Sequence, residues 1–260
     1  MDQNVLSDFD GASGIARITL NRPDALNAVN QAMADAFLAA VKPAVGRQGL
    51  RCVLIRGAGR AFAAGGDVTA FSDPATAASA IDGILGPMHE AVGLLQSCPA
   101  PVVTAVHGVA AGAGFSLALC GDLVFAEEGT KFAVAYTKLG GTPDCGLSWT
   151  LARRIGPART LEMLLQAATI DAAAAKAMGI VTDVFAADGF GTAVEDQVRR
   201  LAAGPTQAYA ACRVLLANES SLSEQLEKER KAFVAAAGTR DFAEGVSAFL
   251  ARRAPDFKGR

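Results

Sequence analysis

The chain has 260 residues, 51% of them hydrophobic, and charges of both signs are dispersed along it to give a formal net charge of −2. This composition suffices for one large domain, or one with a small appendage, and excludes a basic surface for nucleic acid or an anionic membrane. No apolar run reaches the roughly 20 residues of a membrane span, and the acidic N-terminus predicts no secretory peptide.

Short strand-like segments alternate with helical ones from the N-terminus onward. Each is short, and each is either rich in β-branched residues or alternates polar with apolar positions. Each also ends near a glycine or an acid, as strands do where they enter turns. The predicted strands are 15–20, 51–56, 102–106 and 123–126.

The first helix is predicted between the first two strands. Apolar pairs repeat every four residues over 28–41 and give the segment one apolar face. Asn27 or Asn30 is expected to cap its start, and Pro43 with Gly46 is expected to end it.

The later segments are mostly helical in pattern. The stretch 73–93 is rich in Ala, Gly and Ser and only weakly periodic, which predicts a mobile loop and helix near a site. A helix is predicted over 160–178, and the chain from 206 onward is predicted to be almost entirely helical. A charged helix in this last part is expected to bury one face, formed by Leu222, Leu226 and Phe233.

The break at Gly204-Pro205 is the expected domain boundary. It divides the chain into a core over 1–203 and a helical region over 204–260. The fold class predicted from the residues is therefore an α/β body with a C-terminal helical appendage.

Two glycine-rich breaks follow predicted strands, at 64–67 and 112–114. Small residues let a ligand approach the backbone, and free N–H groups at a helix start attract negative oxygen. Asp67 is expected to cap the turn after the first break. The alternative is ordinary strand-to-helix packing through small residues. The second break carries neither the dinucleotide pattern nor the P-loop pattern.

Other reactive residue types give weaker signals. Ser116 lies outside a GxSxG elbow and is interpreted as a helix residue. His107 is interpreted as structural, His89 as a surface or pocket-wall residue, and Cys145 as a small buried filler with no lowered thiol pKa. The odd number of cysteines, without CxxC spacing, favours a reduced, cytoplasmic protein. Because the sequence clusters no set of His, Cys and carboxylate residues, a metal site is not predicted.

Asp144 is the most informative residue, because it lies in a turn-like break, 142–146, between two apolar segments. An acid that faces two backbone N–H donors can move a proton next to a carbonyl while the donors hold the resulting enolate. The alternative interpretation is a turn or a helix cap after Pro143.

Several motifs in register, spread over almost the whole chain, resemble those of the crotonase superfamily, also called the enoyl-CoA hydratase/isomerase family. They are 18–23, 25–28, 62–67, 106–114, 120–126 and 244–253. The resemblance implies a spiral of ββα units with C-terminal helices, here 204–260, that support a homotrimer or hexamer. It implies an acyl-CoA thioester substrate and no separate cofactor, because coenzyme A is part of the substrate.

The resemblance also implies roles for individual residues. The N–H groups of Gly66 and Ala113 would hold the thioester oxygen. The contacts to the coenzyme A nucleotide would come from Ala25, Leu26, Ala64 and Val68. Phe249 and Arg252 would contact a coenzyme A bound to an adjacent subunit.

The chain departs from the pattern of the hydratase members at two places. Ser116 and Tyr136 stand where hydratases carry two glutamates, whereas Asp144 stands where isomerase members carry an aspartate. Within the family, the stretch 136–146 especially resembles 1,2-epoxyphenylacetyl-CoA isomerases. The resemblance therefore implies an isomerase that shifts a double bond in an unsaturated acyl-CoA, with Asp144 as acid and base. Tyr136 is expected to shape the acyl pocket or to hydrogen-bond a substrate oxygen.

Four alternatives stay open at this point. One is an enoyl-CoA hydratase of unusual mechanism. Another is a 4-chlorobenzoyl-CoA-type dehalogenase, in which Asp144 would attack an aromatic carbon and His89 would activate water. The others are a non-catalytic acyl-CoA binder and an RNA-binding relative, the last of which the absent basic stripe disfavours.

Overall fold

The computed structural model describes residues 3–217 and 220–260. The strands of these residues are β1 (Val5–Asp10), β2 (Ile15–Leu20), β3 (Cys52–Gly57), β4 (Val102–Val106), β5 (Val109–Ala111), β6 (Leu123–Glu127), β7 (Lys131–Ala133), β8 (Thr169–Asp171) and β9 (Asp183–Phe185). The α-helices are α1 (Gln31–Val45), α2 (Ala77–Gln96), α3 (Ala113–Ala118), α4 (Leu147–Ile155), α5 (Pro157–Leu165), α6 (Ala172–Ala177), α7 (Phe190–Ala202), α8 (Thr206–Ala217), α9 (Leu222–Ala237) and α10 (Arg240–Leu250).

The main sheet has the strand order β1-β2-β3-β4-β6-β9, in which only the β1–β2 pair is antiparallel. Every residue of β4 is buried, because helices cover both faces of the sheet. Helices α1 and α2 pack on one face, and α7 packs on the other. A smaller sheet, β5-β7-β8, lies beside it. The predicted α/β body and helical C-terminal region are confirmed, and all four predicted strands are present to within a residue.

Helix α1 begins where its cap predicts. The side chain of Asn30 accepts a hydrogen bond from the N–H of Met33 at 3.0 Å, and Gly46 ends the helix. The expectation that Pro43 would help to end it was wrong, because Pro43 lies inside its last turns. The helix continues past it to Val45.

The predicted continuous helix over 160–178 was also wrong. Helix α5 ends at Leu165, and Ala167 adopts a left-handed φ of 46°. Strand β8 then pairs with β7, with Asp171 opposite Lys131, before Asp171 caps α6. The alanine-rich pattern carries no sign of this break, because a tertiary strand pairing causes it. Most of the segment 73–93 belongs to the long helix α2, which begins at Ala77. The helix predicted in this segment is therefore present.

The charged helix near the C-terminus forms, but its apolar face is not buried. Ser221 begins α9 with a capping box to Glu224. Leu222 is 75% exposed and Phe233 68% exposed, so the expectation of a buried face was wrong for the single chain. Helix α8, in contrast, is fixed to the body, because Arg213 donates to Asp122 and to backbone carbonyls that include Leu95. Among the described helices, none combines the length and hydropathy that a membrane crossing requires.

A partly buried ion pair fixes α7 to the sheet and gives the fold one expected pH dependence. Arg17 donates from Nε and Nη2 to the two carboxylate oxygens of Glu195, at 2.9 and 2.8 Å. These bonds hold the pKa of Glu195 below its ordinary 4.5. The pair therefore stabilises the fold above that pH, and the contribution is lost as the pH falls through the lowered pKa.

Glu195→Gln is expected to lower the free energy of unfolding by about 1 kcal/mol at pH 7. The difference from wild type should shrink as the pH falls below 4.5, where the wild-type carboxyl takes up its proton. Urea unfolding at several pH values measures it. Asp196→Asn is the control, because Asp196 forms an exposed pair with Arg199. A stability loss in Glu195→Gln that is equal at pH 3 and pH 7 would contradict this assignment.

Candidate active site

A cavity of about 650 Å³ opens between α2 and the glycine-rich breaks. One wall is apolar and comes largely from α2 and the turn before it. The other lining residues contribute backbone amides, hydroxyls and one carboxyl group. The lining residues are Val29, Ala64, Gly65, Gly66, Val68, Phe71, Ile81, Ile84, Leu85, Met88, His89, Gly112, Ala113, Ala135, Tyr136, Lys138, Leu139, Gly141, Thr142, Pro143, Asp144 and Cys145.

The first glycine-rich break is held from both sides. Ala63 donates to the carbonyl of Val109 at 3.1 Å, and on the other side Val29 donates to the carbonyl of Gly65 at 2.7 Å. Gly65 has a φ of 108°, and a Cβ there would lie 2.9 Å from the carbonyl oxygen of Ala111. Among residues 3–217 and 220–260, no acceptor pairs with the N–H of Gly66. This amide is thus an unpaired donor on a residue that lines the cavity.

The second break ends in the start of α3. Gly112 adopts a φ of 49° and a ψ of −123°, and Ala113 is the first helical residue. Its N–H is one of the amides that a helix start leaves unpaired, and no acceptor in the described chain takes it. A Cβ on Gly114 would overlap the carbonyl oxygen of Ala63, so the two breaks touch here. Gly66 and Ala113, two residues whose amides have no partner in the described chain, therefore line one cavity.

Asn27 supports the first break in a way that the sequence pattern does not reveal. It was predicted as a helix cap, but it is fully buried with a φ of 57°. Its side-chain amide donates to the carbonyls of Ala58, Ala61 and Phe62 at 2.9, 2.8 and 3.1 Å. A single buried amide thus fixes the chain that leads into the glycines. As predicted, Asp67 caps the turn that follows.

Asp144 lies at the cavity wall in a chain of three hydroxyl or carboxyl groups. The Tyr136 hydroxyl donates to Oδ1 of Asp144 at 2.6 Å. The Ser116 Oγ lies 2.6 Å from the same Tyr136 oxygen. Burial, followed by the charge of Asp144, raises the pKa of the Tyr136 phenol, so this hydroxyl remains a donor at neutral pH. The Asp144 side chain does not cap α4, which disfavours the interpretation as a helix cap.

The backbone beside Asp144 is also fixed. Cys145 has a φ of 45°, which is unusual for a residue with a side chain, and its N–H donates to Nε2 of His89 at 3.2 Å. Burial raises the pKa of the Cys145 thiol, so it is not a thiolate nucleophile. Because Nε2 of His89 accepts, the neutral ring carries its proton on Nδ1.

The remaining predicted site residues are divided between the cavity and other surfaces. Ala64 and Val68 line the cavity. Ala25 and Leu26 do not; the Leu26 carbonyl instead supports the first break by accepting from the N–H of Ala64 at 2.9 Å. Phe249, near the end of α10, lies in a separate groove of about 380 Å³. Arg252 lies just beyond α10 on the exposed surface, outside both the cavity and this groove.

Comparisons with known proteins identify the family of the chain. A family model described as enoyl-CoA hydratase/isomerase matches residues 10–260. The 1,2-epoxyphenylacetyl-CoA isomerase of Escherichia coli (strain K12) is 37% identical over 254 residues, covering 95% of this chain and 96% of that protein. A probable enoyl-CoA hydratase of Rhodobacter capsulatus is 37% identical over 257 residues, covering 97% of each.

Solved structures give the same result. A putative enoyl-CoA hydratase/isomerase from Mycobacterium abscessus superposes with a TM-score of 0.92 at 35% identity, covering 98% of this chain and 100% of that one. A putative enoyl-CoA hydratase from Streptomyces coelicolor A3(2) superposes with a TM-score of 0.91 at 30% identity, covering 99% and 94%. The predicted spiral fold and the resemblance in sequence are confirmed.

Proposed function

The chain belongs to the enoyl-CoA hydratase/isomerase family, and from that premise we propose that it shifts a double bond within an unsaturated acyl-CoA thioester. One observation carries the proposal. Among the described residues that line the cavity, Asp144 is the single carboxyl group, and it shares the space with the unpaired amides of Gly66 and Ala113.

The proposed reaction needs one base and one oxyanion site. The thioester oxygen accepts hydrogen bonds from the Gly66 and Ala113 N–H groups. Asp144 takes a proton from C2 of a 3-enoyl-CoA, and the electron pair moves onto the thioester oxygen as a dienolate. The same carboxyl then gives a proton to C4, which leaves the double bond between C2 and C3. Each amide that meets the developing charge supplies about 3–4 kcal/mol of transition-state stabilisation.

Hydration by two carboxylates has less support. Adding water across a double bond requires a base for the water and an acid for C2. Ser116 is fully buried behind the wall, and Tyr136 is kept protonated by burial and by its acidic neighbour, which raises its pKa. Relatives are named both as hydratases and as isomerases. The choice between the two reactions is therefore based on the residues around Asp144.

The dehalogenase alternative is disfavoured by His89. That reaction would use His89 to take a proton from water. Here Nε2 is occupied by the Cys145 N–H, and Nδ1 of the neutral ring bears a proton. His89 is therefore assigned to the support of the turn that carries Asp144.

A panel of thioesters tests the proposal. It includes 3-enoyl- and 2-enoyl-CoA esters, 1,2-epoxyphenylacetyl-CoA, 2,3-dehydroadipyl-CoA and a 4-chlorobenzoyl-CoA ester. The proposal expects proton NMR to show migration of the double bond in a 3-enoyl ester without a hydroxyl product. Rapid formation of 3-hydroxyacyl-CoA, release of chloride, or binding of every ester without turnover would each contradict it.

We also propose that the region 204–260 assembles the protein into a homotrimer or a hexamer. The groove beside Phe249 and the uncovered face of α9 leave large apolar side chains in water, which is unusual for a monomer. Light scattering should give a mass of three or six chains. Phe249→Asp, at a position that is 83% exposed in the single chain, should shift this mass downward. A wild-type monomer would contradict the proposal.

A further inference from the structure

We propose that Tyr136 is a positioning residue that holds Asp144 for proton transfer, and that Ser116 acts on the reaction only through Tyr136. This inference rests on the proposed function and adds to it the device that orients the base. It is carried by a continuous chain of short contacts, from Ser116 to Tyr136 and from Tyr136 to Asp144, each at 2.6 Å.

The direction of the chain follows from counting protons. A phenol has one proton, and Tyr136 gives it to Oδ1 of Asp144. The Tyr136 oxygen can therefore only accept from Ser116. The Ser116 hydroxyl also lies 3.3 Å from the Gly112 carbonyl, but the contact to Tyr136 at 2.6 Å is the shorter one. Both donors thus point toward the carboxylate, and each polarises the next.

The chain fixes the carboxyl group while the backbone is fixed separately. Cys145 N–H binds His89, which sets the turn, and Tyr136 then sets the rotation of the Asp144 side chain. Tyr136 itself is anchored at its backbone, because its carbonyl accepts from the N–H of Gly141 at 3.1 Å. With Oδ1 engaged, Oδ2 is the oxygen assigned to both proton transfers.

The same chain explains why Ser116 is a hydroxyl in an apolar helix. Ser116 is fully buried within α3, between Phe115 and Leu117. A buried hydroxyl costs stability unless it is hydrogen-bonded, and its bond to Tyr136 satisfies it. Ser116 does not line the cavity, so it reaches the substrate only through Tyr136.

The test is a double-mutant cycle on the activity that the wild type shows. Tyr136→Phe keeps the ring and removes the hydroxyl, and it is expected to lower kcat on the order of 10- to 100-fold, with KM nearly unchanged. Ser116→Ala should cause a smaller loss of kcat. The double variant should be no slower than Tyr136→Phe alone. Tyr209→Phe, which changes the chain's other tyrosine outside the cavity, should match wild type.

Three results would overturn the inference. An unchanged kcat in Tyr136→Phe, with melting temperature equal to that of Tyr209→Phe, would remove the positioning role. A rise in KM alone would make Tyr136 a wall of the acyl pocket. Losses that multiply in the double variant would show that Ser116 acts independently of Tyr136.

A crystal structure of Tyr136→Phe separates this inference from the proposed function. The Asp144 carboxyl is expected to lose its single orientation in that variant, whichever thioester the wild type converts. An unchanged Asp144 orientation would overturn the positioning role even if the wild type shifts double bonds. Conversely, a disordered carboxyl in a protein that shifts none would contradict only the proposed function.

Discussion

Asp144→Asn is expected to bind acyl-CoA esters as tightly as wild type and to turn them over about 100- to 10,000-fold more slowly. An amide has nearly the shape of a carboxyl, and its oxygen can still accept the hydrogen bond from Tyr136, so the cavity keeps its form. It has no basicity at neutral pH and cannot take the proton from C2. Binding by calorimetry and turnover by absorbance separate the two effects.

Asp82→Asn is the matched control for this variant. Asp82 lies on α2, next to the lining residue Ile81, and is exposed outside the cavity. The Asp82→Asn substitution removes the same charge from the same region as Asp144→Asn, so a general electrostatic effect on turnover would appear in both variants. Wild-type turnover in Asp144→Asn, or an equal loss in Asp82→Asn, would exclude Asp144 as the base.

Gly114→Ala is expected to damage both stability and turnover, because the two amide-bearing breaks touch at this glycine. The new Cβ would overlap the Ala63 carbonyl oxygen and lie 2.7 Å from its carbonyl carbon, so one break must move. Overpacking of this kind costs about 1–3 kcal/mol or more. Since the displaced chain carries Gly66, the two amides would no longer meet at one oxygen, and kcat should fall together with melting temperature.

Gly93→Ala tests whether any added methyl group in the protein would have the same effect. Gly93 lies in α2 and is not followed by proline, and a Cβ there would have nothing within 4 Å beyond its chain neighbours and the backbone of its own helix. Alanine is the better helix former, so this variant is expected to be neutral or more stable by about 0.5–1 kcal/mol. Full activity and wild-type melting of Gly114→Ala would show that the breaks do not depend on this contact.

The parts of the fold that depend on local pattern could be predicted from the sequence. The strands 15–20 and 102–106 have the observed bounds, and Asn30 caps α1 as its position suggested. Gly66 and Ala113 are identified through the family motifs and Asp144 through its turn-like break together with the same resemblance, and all three line one cavity. The variants described above test the roles proposed for these residues.

What could not be predicted depends on contacts between distant residues. Ser116 and Tyr136 are 20 positions apart, and only the folded chain shows that their hydroxyls meet. The break after α5 comes from the pairing of β8 with β7, which an alanine-rich sequence does not indicate. Asn27 looked like a cap because caps and buried turn anchors use the same residue type.

The most direct test of the central claim follows a deuterium label placed at C2 of a 3-enoyl-CoA ester. If one carboxyl both takes and returns the proton, NMR should show a 2-enoyl-CoA product with part of the label at C4. Asp144→Asn should form neither the product nor the label at C4. A wild-type product that bears a hydroxyl at C3 and no deuterium at C4 would contradict the account.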